Sequence, residues 1–174
     1  MVFIKICGLR EATATRACAD LGVNAVGFVF ADGSIRQVTA KTAADLTELL
    51  PANIERVGVF TFAPVDEVLA TVKEANLTTA QLHGKRAAED IALLQGNGIR
   101  VIVAQSVGEL KQGVDLTPGV RLLIDGDEPG SGTSYELDDA TRSLLPPSWI
   151  LAGGLTPDNV AGRTAALHPS GADV

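Results

Sequence analysis

Short apolar, β-branched runs recur along the chain at Val2–Cys7, Asn24–Phe30, Arg56–Phe60, Thr78–His83, Arg100–Ala104, Arg121–Asp125, Trp149–Gly153 and Gly171–Val174. Their starts fall 22, 32, 22, 22, 21, 28 and 22 residues apart, about the length of one strand, one helix and two loops. Between them the period changes. Ala14, Ala17, Cys18 and Leu21 stand at i, i+3, i+4 and i+7, as do Val65, Val68, Leu69 and Val72, the apolar stripe of an amphipathic helix. Lys41–Leu50, Arg86–Gln95 and Glu136–Leu145 carry weaker versions of that stripe. Thr156 followed by Pro157 predicts a further helix start, a hydroxyl cap and then a proline in the first turn. The segment Gly108–Gly113 is too short to predict a helix.

Runs this short and this apolar describe strands buried on both faces, which a parallel sheet covered by helices provides. A doubly wound open sheet and a closed (β/α)8 barrel both meet that condition. The count of eight favours the barrel, and the first run lacks the GxGxxG turn of a dinucleotide-binding sheet. The predicted fold class is therefore α/β, a single-domain (β/α)8 TIM barrel over residues 1–174. It is expected to be incomplete at the C-terminal end, because no eighth helix follows the eighth run and such barrels usually need about 200 residues or more.

Composition supports one core: of 174 residues, 46% are hydrophobic, 20% charged and 4% aromatic, the opposite of the polar, charge-rich signature of disorder. A net charge of −7 repels nucleic-acid phosphates and anionic membrane surfaces, and no basic patch offsets it. No apolar run approaches the roughly 18 residues needed to span a membrane. The N-terminal MVFIKICGLR, interrupted by Lys5, is not a secretory signal. Cys7 and Cys18 lie apart, with no CxxC and no histidine at ligand spacing, which argues against structural zinc and fits a reducing cytoplasm. Cys18 reads as a plain buried apolar residue.

In barrels of this kind the reacting groups stand at the C-terminal ends of strands and on the loops beyond them. Those positions carry Cys7-Gly8, Phe30 with Arg36 beyond it, Phe60, Gln81 with His83-Gly84, Ala104, Asp125, Gly153-Gly154 and Asp173. A thiol, a carboxylate, an arginine and a glycine pair thus share one ring.

The stretches Lys5-Ile6-Cys7-Gly8-Leu9, Ala25–Phe30 with Ser34 and Arg36, Arg56–Phe60, Gln81-Leu82-His83-Gly84, Leu122–Asp125, and Ala152-Gly153-Gly154-Leu155 with Pro157 and Asn159-Val160 follow one another along the chain. In that order they resemble the phosphoribosylanthranilate isomerases of tryptophan biosynthesis; KICG on the first strand together with QLHG on the fourth carries the specificity. The resemblance implies a (β/α)8 barrel that converts N-(5-phosphoribosyl)anthranilate to 1-(2-carboxyphenylamino)-1-deoxyribulose 5-phosphate by an Amadori rearrangement, without metal or organic cofactor. It implies Cys7 as general base and Asp125 as general acid. The chemistry agrees. Opening the furanose needs a proton on the ring oxygen, and the resulting Schiff base must lose its C2 proton, so an acid and a base have to face each other across the sugar.

An ordinary thiol, with a pKa of about 8.5, is only a few per cent ionised at neutral pH, so a base at Cys7 calls for a neighbour that lowers its pKa. Lys5, two residues earlier on the same strand face, is the expected source of positive charge. Asp125 needs the opposite shift, which desolvation at the barrel mouth favours. Position alone leaves Cys7 open between a base and a small core filler, and Asp125 between an acid and a helix cap. The resemblance further implies that the planar fork of Arg36 binds the anthranilate carboxylate; the alternative is a solvated arginine. Gln81 and His83 are candidate substrate contacts, a packing histidine being the alternative. Gly153 and Gly154 make either a phosphate-holding turn of bare amides or an ordinary βα turn. Lys5 and Asp173 are read as supporting residues. The loop Gly126–Ser134, with Gly130-Ser131-Gly132, resembles the glycine-rich loop that covers the family's site, and Tyr135-Glu136-Leu137 stand where Phe-Asp-Trp is typical.

The expected partner is a small phosphosugar, with no nucleic acid and no membrane, bound by a cytoplasmic monomer or homodimer. Two other readings fit a phosphosugar barrel: a ProFAR-type isomerase of histidine biosynthesis, and a binding module without turnover. The cysteine on the first strand and QLHG on the fourth count against the former.

The resemblance also implies that a Ser/Gly-rich phosphate loop and a last helix, covering the seam between the eighth and first strands, follow the residues matching Ala172-Asp173-Val174. The expectation is a polypeptide longer by some 20–30 residues, the length of one loop and helix. Intact-mass measurement checks it: a mass equal to the 18.0 kDa of these 174 residues refutes it.

Overall fold

The computed structural model describes residues 2–84, 86–113, 117–126 and 135–174. Eight strands, β1 (Phe3–Cys7), β2 (Ala25–Val29), β3 (Glu55–Phe60), β4 (Thr79–His83), β5 (Arg100–Ser106), β6 (Arg121–Asp125), β7 (Trp149–Leu151) and β8 (Gly171–Asp173), form one closed parallel barrel in chain order. Closure comes from β8 pairing with β1, Lys5 lying opposite Asp173. The eight runs seen in the sequence are these eight strands, displaced at their ends by a residue or two; β5 runs on to Ser106 and β7 stops at Leu151.

Alternation along each strand sorts the side chains into two layers. Ala25, Val57, Ile102, Ala104, Leu123, Ile150 and Ala152 meet inside the barrel, with Phe3 packed against them. Their neighbours one position away, including Val26, Phe28, Ala80, Leu82 and Val101, face outward and join the helices in a larger cluster. Both faces are buried, which is why the strands read as nearly unbroken apolar runs rather than as alternating ones.

The helical layer comprises α1 (Ala12–Asp20), α2 (Ala40–Thr47), α3 (Val65–Glu74), α4 (Ala88–Gly96), α5 (Val107–Leu110), α6 (Asp139–Arg142) and α7 (Val160–Leu167). The helix α3 buries Val68 and Val72 and carries Asp66 and Glu67 in its first turn and Lys73 in its last, the order that suits the helix dipole. Three expectations are corrected. A helical turn does form in Gly108–Gly113: Ser106 and Glu109 make a reciprocal capping box over α5, and side-chain capping stabilises even a single turn. Only Asp139–Arg142 of Glu136–Leu145 is helical, its start fixed by Asp138, whose carboxylate accepts the Thr141 N–H at 2.7 Å. The last helix begins at Val160 rather than at Thr156. Asn159 reaches back instead, its Oδ1 accepting the Thr156 N–H at 2.8 Å and its Nδ2 donating to the Gly154 carbonyl at 2.8 Å, so Pro157 sits in a turn ahead of the helix.

Val2, just ahead of β1, and Ile4, on its outer face, are 46% and 43% exposed. Among the described residues no helix is long and apolar enough to cross a membrane.

The N-terminal end of the barrel is closed by charge. The Glu55 carboxylate accepts from Arg121 and from the Thr79 hydroxyl, and Arg100 Nε lies 3.1 Å away. The Arg121 guanidinium also lies over the Phe3 ring, 5.0 Å from its centroid. Removing the carboxylate leaves a half-buried arginine without its acceptor. Glu55→Leu is expected to lower the unfolding free energy by about 2 kcal/mol, read from the urea midpoint, while leaving turnover intact; an unchanged midpoint contradicts this role.

Candidate active site

The C-terminal ends of the strands collect most of the residues singled out above. Cys7 ends β1, and Lys5, two positions back on the same face, is fully buried. An ammonium cannot be buried without compensation. Asp173 on the neighbouring β8 supplies it, with Lys5 Nζ donating to Asp173 Oδ2 at 2.7 Å. Room for the pair comes from Gly27 on β2, directly across from Cys7. A Cβ there would stand 2.8 Å from Cys7 Sγ and 3.1 Å from Lys5 Nζ. A glycine inside an otherwise apolar strand marks such a close approach, and that signal lay unread in the sequence.

Burial draws the Lys5 pKa down, but the Asp173 carboxylate and Cys7 outweigh it, and the net shift is upward; the group is an ammonium. For Cys7 the balance goes the other way. Burial pushes the thiol up, Lys5 pulls it down, Asp173 adds to the rise, and the outcome is a raised pKa. Lys5 therefore lies where the sequence placed it and acts in the expected direction. It does not overcome desolvation, because its charge is already matched by Asp173.

Asp125 ends β6, and its Oδ1 accepts the N–H of Gly126 at 2.8 Å. Burial raises its pKa, the Gly126 N–H opposes, Asp173 adds to the rise, and Arg36 and Lys5 oppose. The net shift is upward, the direction expected from desolvation. Beyond β7, Gly153 and Gly154 have φ of +81° and +60°, a region that side-chain-bearing residues avoid. A Cβ on Gly153 would lie 2.8 Å from Asp125 Oδ1, 2.8 Å from the Gly126 nitrogen and 2.9 Å from Tyr135 Cε1. Gly153 thus makes space for the carboxyl group.

Arg36, in the loop between β2 and α2, lies across Gly8: a Cβ on Gly8 would stand 2.6 Å from Arg36 Cδ. The guanidinium is near enough to favour the ionised forms of Cys7, Asp125 and Asp173 alike, which puts all four groups at one mouth. Arg10, which sequence reasoning passed over, tethers the loop by donating from Nη1 to the Ile35 carbonyl at 2.7 Å.

Gln81 and His83 share the inner face of β4, with Gln81 Nε2 and His83 Nε2 3.2 Å apart. Gln81 is buried, and its Oε1 has no partner among the described residues. Burial, reinforced by the Lys5 charge, lowers the His83 pKa to about 4, against a smaller opposing pull from Glu109; the imidazole is neutral. Of the expected covering loop, 127–134 lie outside the described residues. No group of three His, Cys, Asp or Glu side chains among the described residues is arranged to hold a metal ion. A recess of about 720 Å3 between the turns leading into β4 and β5 lies at the opposite end of the barrel and contains no acid–base pair.

The model of the family described as N-(5'phosphoribosyl)anthranilate (PRA) isomerase matches residues 4–174. The N-(5'-phosphoribosyl)anthranilate isomerase of Deinococcus radiodurans is 38% identical over 178 residues, covering 99% of this chain and 85% of that protein. The crystal structure of phosphoribosyl anthranilate isomerase from Thermus thermophilus superposes with a TM-score of 0.84 at 36% identity, over 100% of this chain and 86% of the other. A phosphoribosyl anthranilate isomerase in complex with reduced 1-(o-carboxyphenylamino)-1-deoxyribulose 5-phosphate superposes with a TM-score of 0.80 at 27% identity, over 100% of this chain and 87% of the other.

The His83 environment predicts a pH dependence of stability. The unfolded chain takes up this proton near pH 6.5 and the folded chain only near pH 4, so the unfolded state binds more protons in between and stability falls as pH drops through that window. The loss attributable to His83 is about 3 kcal/mol. Urea unfolding at pH 7 and pH 4 should show a smaller loss in His83→Gln than in the parent; equal losses contradict the assignment.

Proposed function

The chain belongs to the N-(5'-phosphoribosyl)anthranilate isomerase family, and on that footing we propose that Cys7 and Asp125 are the base and the acid of its reaction. The reaction is the Amadori rearrangement of N-(5-phosphoribosyl)anthranilate in tryptophan biosynthesis. The observation that carries the assignment is geometric: Cys7 and Asp125 end β1 and β6 at the same end of the barrel, with Lys5, Arg36 and Asp173 near enough to act on both.

Asp125, whose pKa burial raises, gives its proton to the furanose oxygen as the bond from that oxygen to C1 breaks. The anthranilate nitrogen supplies the electron pair, leaving a protonated Schiff base. The Cys7 thiolate takes the C2 proton, the electrons of that C–H bond neutralise the iminium, and the enolamine tautomerises to the ketone. Lys5, already an ammonium, stabilises the thiolate as it forms. With the Asp125 pKa below that of Cys7, only a small and constant fraction of the enzyme carries the acid protonated and the thiol ionised between the two values. That fraction falls tenfold for each unit that separates them. A raised thiol pKa lowers the population of the base but makes each thiolate more basic.

Arg36 offers its fork to the anthranilate carboxylate, and the Gly153-Gly154 turn offers amides to the phosphate. Gln81 and His83 contact the substrate as uncharged groups, and Lys5 and Asp173 support the base. This division lets a protein of net charge −7 hold a phosphosugar that carries both a phosphate and a carboxylate, since local donors outweigh the distant field. The enzyme works without metal or organic cofactor, in the cytoplasm, as a monomer or homodimer.

The test is a fluorescence assay of anthranilate-linked substrate turnover by the purified chain. Cys7→Ser should fold and bind while losing turnover by several orders of magnitude, because a serine hydroxyl is far too weak an acid to yield an oxyanion base; near-normal turnover sinks the assignment. Asp125→Asn should lose turnover yet bind a product analogue within about tenfold of the parent. It should also melt at a higher temperature at neutral pH, since a carboxyl whose folded pKa is raised destabilises the fold above that pKa. Loss of binding together with turnover would make Asp125 a substrate anchor instead.

A further inference from the structure

The helix α7 and the segment that follows the acid's strand carry an arrangement the reaction scheme leaves unused. Tyr135 donates its hydroxyl to the carbonyl of Ile124, the residue immediately before Asp125, at 2.9 Å. The Tyr135 ring edge, Asp125 Oδ1 and the Gly126 nitrogen converge on the space above Gly153. On the outer side of the ring, Arg163 of α7 places its guanidinium 5.1 Å from the ring centroid and donates to the Tyr135 carbonyl. Its Nε is buried and makes no hydrogen bond among the described residues, so the cation is held against the aromatic face.

We propose that Tyr135, clamped by Arg163, is the positioning residue that keeps water from the Asp125 carboxyl on its β7 side and so sets the proton affinity of the acid. The inference rests on Asp125 being that acid. Burial is the leading cause of its raised pKa, and Tyr135 is a large neighbour that shields it without bringing charge; its own phenol is pushed far up by burial and by Asp125. The other groups facing the carboxyl are Asp173 from β8, Lys5 from β1 and Arg36 from the β2–α2 loop. Asp173 raises the Asp125 pKa while Lys5 and Arg36 lower it. All three stand on elements other than the Tyr135 segment, so changing the ring changes hydration and leaves those residues in place.

The reverse arrangement of protons gives this role a signature that a merely structural role lacks. In kcat/KM the acidic limb falls at the Asp125 pKa, and the height of the plateau is set by its distance from the Cys7 pKa. Lowering the Asp125 pKa must therefore move the limb to lower pH and depress the plateau by the matching factor. Tyr135→Ala, which opens the carboxyl to water, is expected to shift the limb down by about one unit and lower the plateau about tenfold, with the affinity for a product analogue unchanged. Tyr135→Phe keeps the ring and should restore both. Arg163→Met, which releases the ring without deleting it, should move both in the same direction by less, and serves if Tyr135→Ala does not fold. An unmoved limb in the folded variants, a plateau that falls without the limb, or a Tyr135→Phe enzyme that behaves like Tyr135→Ala overturns the proposal. Asp125→Asn separates the two levels. If it retains activity, the reading of the acid fails; if it is inactive while the limb stays fixed in the Tyr135 and Arg163 variants, only the positioning role fails.

Discussion

The buried contact between Lys5 and Asp173 is the constraint around which this barrel is organised. It spans the strand pair at which the ring closes, β8 to β1. Two charges inside a protein are tolerable only in good mutual geometry, and losing one partner of such a pair typically costs about 3–5 kcal/mol, against a total domain stability of about 5–15 kcal/mol. The pair therefore constrains the register of the last strand against the first, and the glycine at position 27 follows from the volume the lysine needs.

The same pair bears on why the proposed base and acid both have raised pKa values. A lone lysine beside Cys7 would draw its thiol down, but the carboxylate that makes the lysine tolerable also cancels much of its field. What remains is desolvation, which acts on Cys7 and Asp125 in the same direction. Such a site needs one proton on the acid and none on the thiol, and the barrel opposes the second of these while favouring the first. The arrangement is an electrostatic compromise between holding the fold together and ionising the base.

Much of the architecture was legible in the sequence because period and spacing are global signals: eight runs 21 to 32 residues apart survive local irregularity. The residues we propose as acid and base could be singled out because barrel chemistry is confined to strand ends. What escaped depends on contacts between distant residues. Nothing local to Thr156-Pro157 shows that Asn159 will reach back and delay the helix. The spacing of Lys5 from Cys7 gave proximity but not the balance of charges, since Asp173 lies 168 positions from Lys5. Arg10 and Arg163 drew no attention, because an arginine in a loop or on an amphipathic helix looks solvated until its acceptor, the Ile35 or the Tyr135 carbonyl, is placed beside it.

The tether from Arg10 to the Ile35 carbonyl has a consequence for recognition. A free arginine side chain surrenders roughly 1.5–2 kcal/mol of rotamer entropy when it is fixed, and a mobile loop surrenders more. Here the loop is pinned and the Arg36 stem already lies on Gly8, so much of that disorder is removed when the chain folds rather than when a ligand arrives. The carboxylate fork we propose for Arg36 would, on a loop held this way, work as a ruler: it would accept a planar anion at one distance and angle from the strand ends, and an isomer with its carboxylate displaced along the ring would forfeit the contact instead of dragging the loop after it.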